Sequence, residues 1–500
     1  MSGNLILAPV FIHLLIAIFQ LMAWRKTVTQ RILSIGGAFI ALLSAIMLFA
    51  HVFAQGTLTI NASNWKAPFS IVFVADLLAT VMVLLTSIAG FAVSLFSATG
   101  LSRQRMLYGY FPIFHFLLMG LNGAFLTGDI FNLYVWFEVI IIASFVLMTL
   151  GGRRNQLEGA LKYMSMNILA SMFFLTGIGI LYGMTGSLNM ADLSIKMHNV
   201  QNRSLVGITS VFFILGFGIK SAVFPLYFWL PSSYHTPPSA VAATFGGLLT
   251  KVGIYAMLRV NSLIFIPDDF TKNLLMVIAV LTILTGAFGS LNKMNIRQLF
   301  SYLIVCHIGF MVGGISMFTK LALTGTIFYL IHDIMVKTNL FLISGFIMQL
   351  RGIITMEKLG GLYKEYPKVS LLVAIVLFSL VGIPPLSGFW PKIYLFQAAF
   401  NNSNYFFIAA LILGSLVTLY VVAKMWSEIF WKQTPDGVIE ENKFEPLPVL
   451  RKLLLLLPIG LLAAASVYIG LNAEAVVQIS ERIAAELLDT SSYINAVFKN

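Results

Sequence analysis

The sequence predicts an all-α polytopic membrane protein with about fourteen transmembrane helices. Of its 500 residues, 59% are hydrophobic and only 10% are charged, and apolar runs of spanning length follow one another from end to end. A soluble domain carries about a quarter of its residues charged, so this composition, with mean hydropathy +0.92, belongs in a bilayer. The formal net charge of +12 does not point to nucleic acid, because the basic residues sit in short connections and form no continuous stripe. The single cysteine, Cys306, lies in an apolar run, which excludes a cysteine-based metal or redox cluster.

Taking about 20 mostly apolar residues per span, the spans fall at 4–24, 31–55, 70–98, 107–126, 129–150, 159–183, 205–230, 237–261, 271–291, 297–318, 321–350, 368–400, 405–431 and 448–472. The basic turn Arg25, Lys26 and Arg31 after the first run is the flank of a retained helix, not a cleavage site. No connection is long enough for a soluble domain. The odd-numbered connections hold Arg25, Lys26, Arg31, Arg103, Arg105, Arg153, Arg154, Lys293, Arg297, Arg351, Lys358, Lys364, Lys368, Lys432, Lys443, Arg451 and Lys452. The even connections and the termini hold about half as many, among them Lys66, Lys196, Arg203, Lys272 and Lys320. The more basic side faces the cytoplasm, so both termini are expected outside. The closing stretch AEAVVQISERIAAELLDTSSYINAVF repeats apolar residues every three or four positions. It reads as an amphipathic helix on the outer surface or against a partner subunit.

Several charges lie in mid-span: Glu138 in NLYVWFEVIIIASF, Lys220 in LGFGIKSAVFPLYFWLP, Lys251 in FGGLLTKVGIYAML, His332, Asp333 and Lys337 in FYLIHDIMVKTNLFL, and Lys392 after GIPPLSGFWP. Each costs about 2.5–3.5 kcal/mol on insertion scales, so a chain that keeps several uses them, and the bland alternative is static pairs tying helices together. Lysine in water holds its proton up to a pKa of about 10.4, and apolar burial can weaken an ammonium towards neutrality. A partner charge about 7 Å away, at an effective dielectric of about 20, then contributes roughly 2.4 kcal/mol. Glu138 moving relative to Lys220 is thus able to switch whether the lysine keeps its proton. The expectation is a proton relay through Glu138, Lys220, Lys251, His332, Lys337 and Lys392. Lys337 stays open between a mobile role and neutralisation by Asp333 one turn away.

Other polar positions carry blander readings. Lys162, four residues after Glu158, reads as a surface pair. Lys424, Glu428 and Lys432 reach the cytoplasmic end, Asp76 reads as structurally paired near the outer end, and His307 as a hydrogen-bonded core histidine. His235, in WLPSSYHTPPSA, titrates in the range that passes protons between a buried lysine and water, and is the candidate for uptake or release.

Two spans carry proline where a helix should continue: the seventh with Pro225 and Pro231, the twelfth with Pro384, Pro385 and Pro391. Each break lies near a lysine, Lys220 or Lys392. Freed carbonyls within a membrane must be buried in protein or face water. Interrupted helices at corresponding places in two halves point to an inverted-repeat transporter with its ion path at the breaks. An enzyme would need catalytic loops or an interfacial metal cluster, and a scaffold has no use for these charges. No cofactor motif, metal site or cluster of oxygen ligands for sodium is legible.

The stretch GFGIKSAVFPLYFWLPSSYHTPPSAVAATFGGLLTKVGIYAMLR, with FEVIIIAS around Glu138, HDIMVKTNLFLISG and GIPPLSGFWPK, resembles the signature of the proton-translocating antiporter family. That family comprises the antiporter-like subunits of respiratory complex I and the large subunits of Mrp-type sodium/proton antiporters. The resemblance implies fourteen helices with two inverted five-helix repeats: an N-terminal three-helix region at 1–106, repeats at 107–262 and 263–431, and a cytoplasmic loop, last span and outer tail at 432–500. It implies that Glu138 is the fifth-helix glutamate paired with the seventh-helix Lys220. Lys251 is then the eighth-helix lysine, His332 and Lys337 the eleventh-helix relay, and Lys392 the twelfth-helix terminal group. The implied protein is a transporter subunit of a bacterial plasma membrane, working with other subunits on protons and sodium, without a cofactor. IHDIMVKTNLFLISG and the tail LLDTSSYINAV are most similar to D-type subunits of the Mrp branch, with an N- or M-like complex I subunit as the alternative.

Overall fold

The computed structural model describes residues 2–63, 65–433 and 447–499. Lys443, counted above with the cytoplasmic cations, lies outside the described residues. Helices α1 (Ser2–Met22) and α2 (Thr27–Gln55) lead into an antiparallel hairpin, β1 (Leu58–Asn61) on β2 (Val72–Ala75). α3 (Leu77–Gly100), α4 (Tyr110–Leu126), α5 (Ile130–Thr149) and α6 (Arg154–Thr185) follow. Next come α7 (Arg203–Ser221), α8 (Ser239–Leu263), α9 (Asp269–Ser290), α10 (Ile296–Met317) and α11 (Lys320–Arg351). The chain closes with α12 (Pro367–Val381), α13 (Phe389–Asn401), α14 (Tyr405–Trp431), α15 (Val449–Leu471), α16 (Ala473–Leu488) and α17 (Ser491–Lys499). Among the described residues, 12 helices are long and apolar enough to cross a membrane, and α4 and α12 are shorter apolar helices.

Helix starts follow from capping, which matters most where no water reaches the first turn. Asp76 accepts from the Ala79 amide at 2.9 Å and Asp129 from the Asn132 amide at 2.7 Å. Asp268 accepts from Thr271, Asn295 from Arg297 and Gln298, and Thr319 from Ala322. The cap at Asp76 corrects the expected span at 70–98: Val72–Ala75 pairs with β1 as a strand, and the helix begins only at Leu77.

The expected spans at 205–230 and 368–400 are each two helical pieces. α7 ends at Ser221 and helix resumes at Trp229; α12 ends at Val381 and helix resumes at Phe389. Both breaks open with a left-handed residue, Ala222 at φ 59° and Gly382 at φ 87°. In both, the next amide reaches back five residues, Val223 to Gly218 and Ile383 to Phe378, each at 3.0 Å. This is the helix-ending motif in which a left-handed residue lets two amides satisfy the last turn's carbonyls.

α8, α10 and α11 are buried along almost all of their apolar length and form the centre, while α1 and α2 expose much of theirs. α9 and α10 pack backbone against backbone: a Cβ at Gly286 would strike the Cys306 main chain, and one at Gly309 the amide of Ile283. Arg297, counted above as a loop cation, is buried, donating to Ser344 Oγ at 3.1 Å, to the Pro237 carbonyl at 3.0 Å and to Ser239 Oγ. It ties α10 to α11 and to the start of α8.

The tail folds as expected in pattern, but its apolar face is covered by this chain. α16 packs on α11, α8 and α15, burying Ile483, Ala484 and Leu487. α17 packs on β1, where Thr59 donates to the Ala496 carbonyl at 3.0 Å. The start of α1 also packs on β1, so both ends of the chain lie on one side of the bundle. Gly286→Val should separate α9 from α10 and cost about 1–3 kcal/mol by overpacking. Thermal unfolding in detergent checks this, with Gly36→Ala, where nothing lies within 4 Å, as the neutral control.

Candidate functional site

Glu138 stands mid-way along α5, half-buried, with one carboxylate oxygen buried and without a hydrogen bond. Lys220 occupies the last turn of α7, buried, its ammonium 4.7 Å from the centre of the Phe137 ring. The two charges lie within electrostatic reach of each other but form no closed ion pair among the described residues. Beside Lys220 is a small cavity walled by Phe137, Tyr163, Asn167, Trp229, Leu249 and Val252, with about 20 Å³ open to water centres. That is room for about one water. Leu249 and Val252 bring α8, the helix of Lys251, to the wall of this cavity.

Lys251 is wholly buried, and its ammonium is 2.7 Å from Asp333 Oδ2 and donates to the Gly246 carbonyl at 2.7 Å. Gly246 belongs to a π turn, Phe245–Leu249, whose neighbouring Gly247 leaves no room for a Cβ against Thr338 of α11. The glycine pair lets α8 approach α11 closely enough for the ion pair to close. The other oxygen of Asp333 accepts from His307 Nδ1 of α10 at 3.2 Å.

This arrangement bears on two readings of the sequence. Spacing left open that Asp333 neutralises Lys337, since i and i+4 share a helix face. Instead the carboxylate reaches across to Lys251, and the Lys337 ammonium is fully buried without a hydrogen bond. His307 is a hydrogen-bonded core histidine as expected, and its partner is Asp333. Asp333 is the group that residue-by-residue reading missed. Its mid-span acid was visible, but which neighbour it chose was not.

His332 points the other way. Its Nδ1 lies 2.8 Å from Ser387 Oγ, and Ser387, Ser379 and Ser466 form a triangle of hydroxyls with 2.8 Å sides. These serines come from the second break, α12 and α15. Lys392, on α13, donates to the Val381 carbonyl at 2.7 Å and lies 5.7 Å from the Phe310 ring centre. The lysine thereby satisfies a carbonyl that the break has released. Its counterpart at the first break is an indole: Trp229 Nε1 donates to the Ile219 carbonyl at 3.1 Å, and the Phe224 amide to Thr282 at 2.9 Å. The two breaks share their backbone, but Lys220 precedes its break whereas Lys392 follows its own.

At the surface, His235 Nδ1 lies 2.8 Å from the Pro231 carbonyl and lines a cavity of about 250 Å³ together with Glu158 and Lys162. Lys162 and Glu158 pair at 2.7 Å and are exposed. Lys432 pairs with Glu428 at 3.0 Å. Asp76 is doubly bonded to Arg259, with both contacts at 2.7 Å, a structural clamp between the start of α3 and α8.

Residues 127–418 match the family described as NADH:quinone oxidoreductase/Mrp antiporter, TM. This chain belongs to that family. The antiporter-family match is supported along the whole chain. It is 41% identical over 498 residues, 99% of this chain and 100% of the relative, to the D-type Na(+)/H(+) antiporter subunit of Alkalihalophilus pseudofirmus strain OF4. It is 40% identical over 501 residues, 99% of this chain and 100% of the relative, to the protein of the same name from Bacillus subtilis strain 168. A chain in the structure of the Mrp complex from Dietzia sp. DQ12-45-1b superposes with TM-score 0.90 at 28% identity, covering 99% of each chain.

Breaking a buried ion pair from one side costs about 3–5 kcal/mol, whereas replacing both partners by apolar groups is close to neutral. Asp333→Asn should therefore lower thermal stability clearly, and Lys251→Met with Asp333→Leu should recover most of the loss. Unfolding curves of the purified variants check both.

Proposed function

We propose that this chain is the proton-translocating subunit of a multisubunit sodium/proton antiporter in a bacterial plasma membrane, with both termini on the outer side. Its protons move along Glu138, Lys220, Lys251, His332, Lys337 and Lys392, with His235 at the aqueous end. The observation that carries this reading is the band of ionisable groups, half-buried on α5 and buried on α7, α8, α11 and α13, in a chain that resembles named antiporter subunits over its whole length. The same resemblance favours an antiporter over a redox-driven complex.

In this mechanism Glu138 and Lys220 form the first switch. With no closed bond between them, a small approach or withdrawal of the carboxylate changes the lysine's hold on its proton. The released proton crosses the cavity towards Lys251, whose pairing with Asp333 sets whether it accepts. Lys337, an ammonium with no partner of its own, takes the next step, because a buried orphan donor is where internal water belongs. His332 and the serine triangle carry the path towards Lys392, at the second break. The equal geometry of the two breaks supports two repeats, at 107–262 and 263–431, each with its path at a broken helix.

Glu138→Ala and Lys220→Ala should each reduce sodium-dependent proton exchange in vesicles to background while the complex still assembles. Wild-type exchange in assembled Lys220→Ala complexes would overturn the role given to the first switch. Lys392→Ala should weaken exchange, and Lys162→Ala should leave it within about twofold, as expected for an exposed pair.

A further inference from the structure

We propose that His13, His115, Ser34 and Ser94 form a second proton-binding site, set among the N-terminal helices and separate from the mid-membrane relay. His13 on α1 and His115 on α4 are almost wholly buried, with their Nδ1 atoms 3.0 Å apart. Two bare ring nitrogens at that distance repel and two N–H groups clash, so the pair shares one proton. The outer nitrogens decide which ring holds it. His115 Nε2 lies 3.0 Å from Ser34 Oγ, which lies 2.8 Å from Ser94 Oγ, whereas His13 Nε2 is buried without a partner. Placing a hydrogen on His13 Nε2 in the neutral pair would bury an N–H with no acceptor, at about 1–3 kcal/mol. The favoured neutral arrangement has His13 Nδ1–H donating to His115 Nδ1, His115 Nε2–H to Ser34, and Ser34 O–H to Ser94.

One basic nitrogen is then left free, His13 Nε2. An additional proton binds there together with a water that accepts from the new N–H, and the shared Nδ1 proton can pass to His115, so the single positive charge spreads over both rings. The groups on the packed elements do not compete for it. Arg31 on α2 contacts Met106, Tyr110 on α4 shares a hydrogen bond with Ser97, and on α8 Lys251 pairs with Asp333 and Arg259 with Asp76. His51 on α2, Glu138 on α5 and Tyr255 on α8 make no hydrogen bond to either ring, and α3, β1 and β2 carry no charged side chain. α4 packs directly on α5, the helix of Glu138, so a charge at His115 bears on the first switch of the relay. Filling the site as pH falls therefore sets the pH profile of transport.

The test uses the assembled complex in vesicles, with exchange measured across pH for wild type, His13→Gln and His115→Gln, which keep hydrogen-bonding capacity but cannot titrate. The expected result is a pH profile displaced by about half a unit or more with the maximal rate largely kept. An unchanged profile, or a loss equal at every pH, overturns the proposal, since a purely structural pair would give one of these. Should the variants fail to assemble, nitrogen NMR of the histidine-labelled wild-type complex decides. A hydrogen-bonded Nδ1 pair that titrates as one unit supports the site, and two independent rings overturn it. The exchange readout rests on the relay through Glu138, whereas the NMR readout is independent of it, so failure of the site and failure of the relay are distinguishable.

Discussion

Hydrocarbon offers nothing to satisfy a charge or an unpaired carbonyl, so every polar group in this bundle has to find its partner inside the protein or hold its place in a water-sized space. Much of the structure is a solution to that constraint. The second break releases the Val381 carbonyl and the same segment carries an ammonium in need of an acceptor; each answers the other. At the first break an indole and a threonine hydroxyl do the same work. Where the solution is incomplete, the orphaned atoms include Glu138 Oε1, the Lys337 ammonium and His332 Nε2, and also others well away from them, such as His13 Nε2 and the Asn122 amide.

The Lys251–Asp333 pair shows how packing and chemistry depend on one another. Its closure needs α8 to approach α11, which a π turn and two adjacent glycines permit. With Asp333 engaged by Lys251 and His307, Lys337 is left as the ammonium without an acceptor in the centre of the molecule. On this helix the pairing of Asp333 with Lys251 and the missing hydrogen bond at Lys337 therefore go together. Glu138, by contrast, makes no closed pair with Lys220, so the two mid-span carboxylates hold their neighbouring lysines differently.

The side of the bundle that carries both chain ends is organised by a different kind of contact. Asp76 caps α3 and holds Arg259 through two bonds, and the Tyr493 ring of the tail lies 5.1 Å from that guanidinium. The closing helices are thus fastened to the same side as the β hairpin and the start of α1. Of their amphipathic face, which composition alone leaves free for a membrane surface or a partner, Ile483, Ala484, Leu487, Tyr493 and Val497 are buried within the chain.

The amino-acid sequence by itself determined the membrane class, nearly every helix, the surface pairs at Lys162 and Lys432, and the identity of most buried charges, because apolar run length and an isolated charge within it are local properties. The antiporter family was legible for the same reason, since its motifs are contiguous. Only the tertiary structure decided partnership. Helical spacing placed Asp333 and Lys337 on one face and left their pairing open, but a carboxylate binds whichever ammonium the packing brings within reach, and that was Lys251 on another helix. The serine triangle around His332 and the histidine pair of α1 and α4 were hidden in the same way. Their members lie 8 to 102 residues apart, and no periodicity links positions that meet only when helices cross.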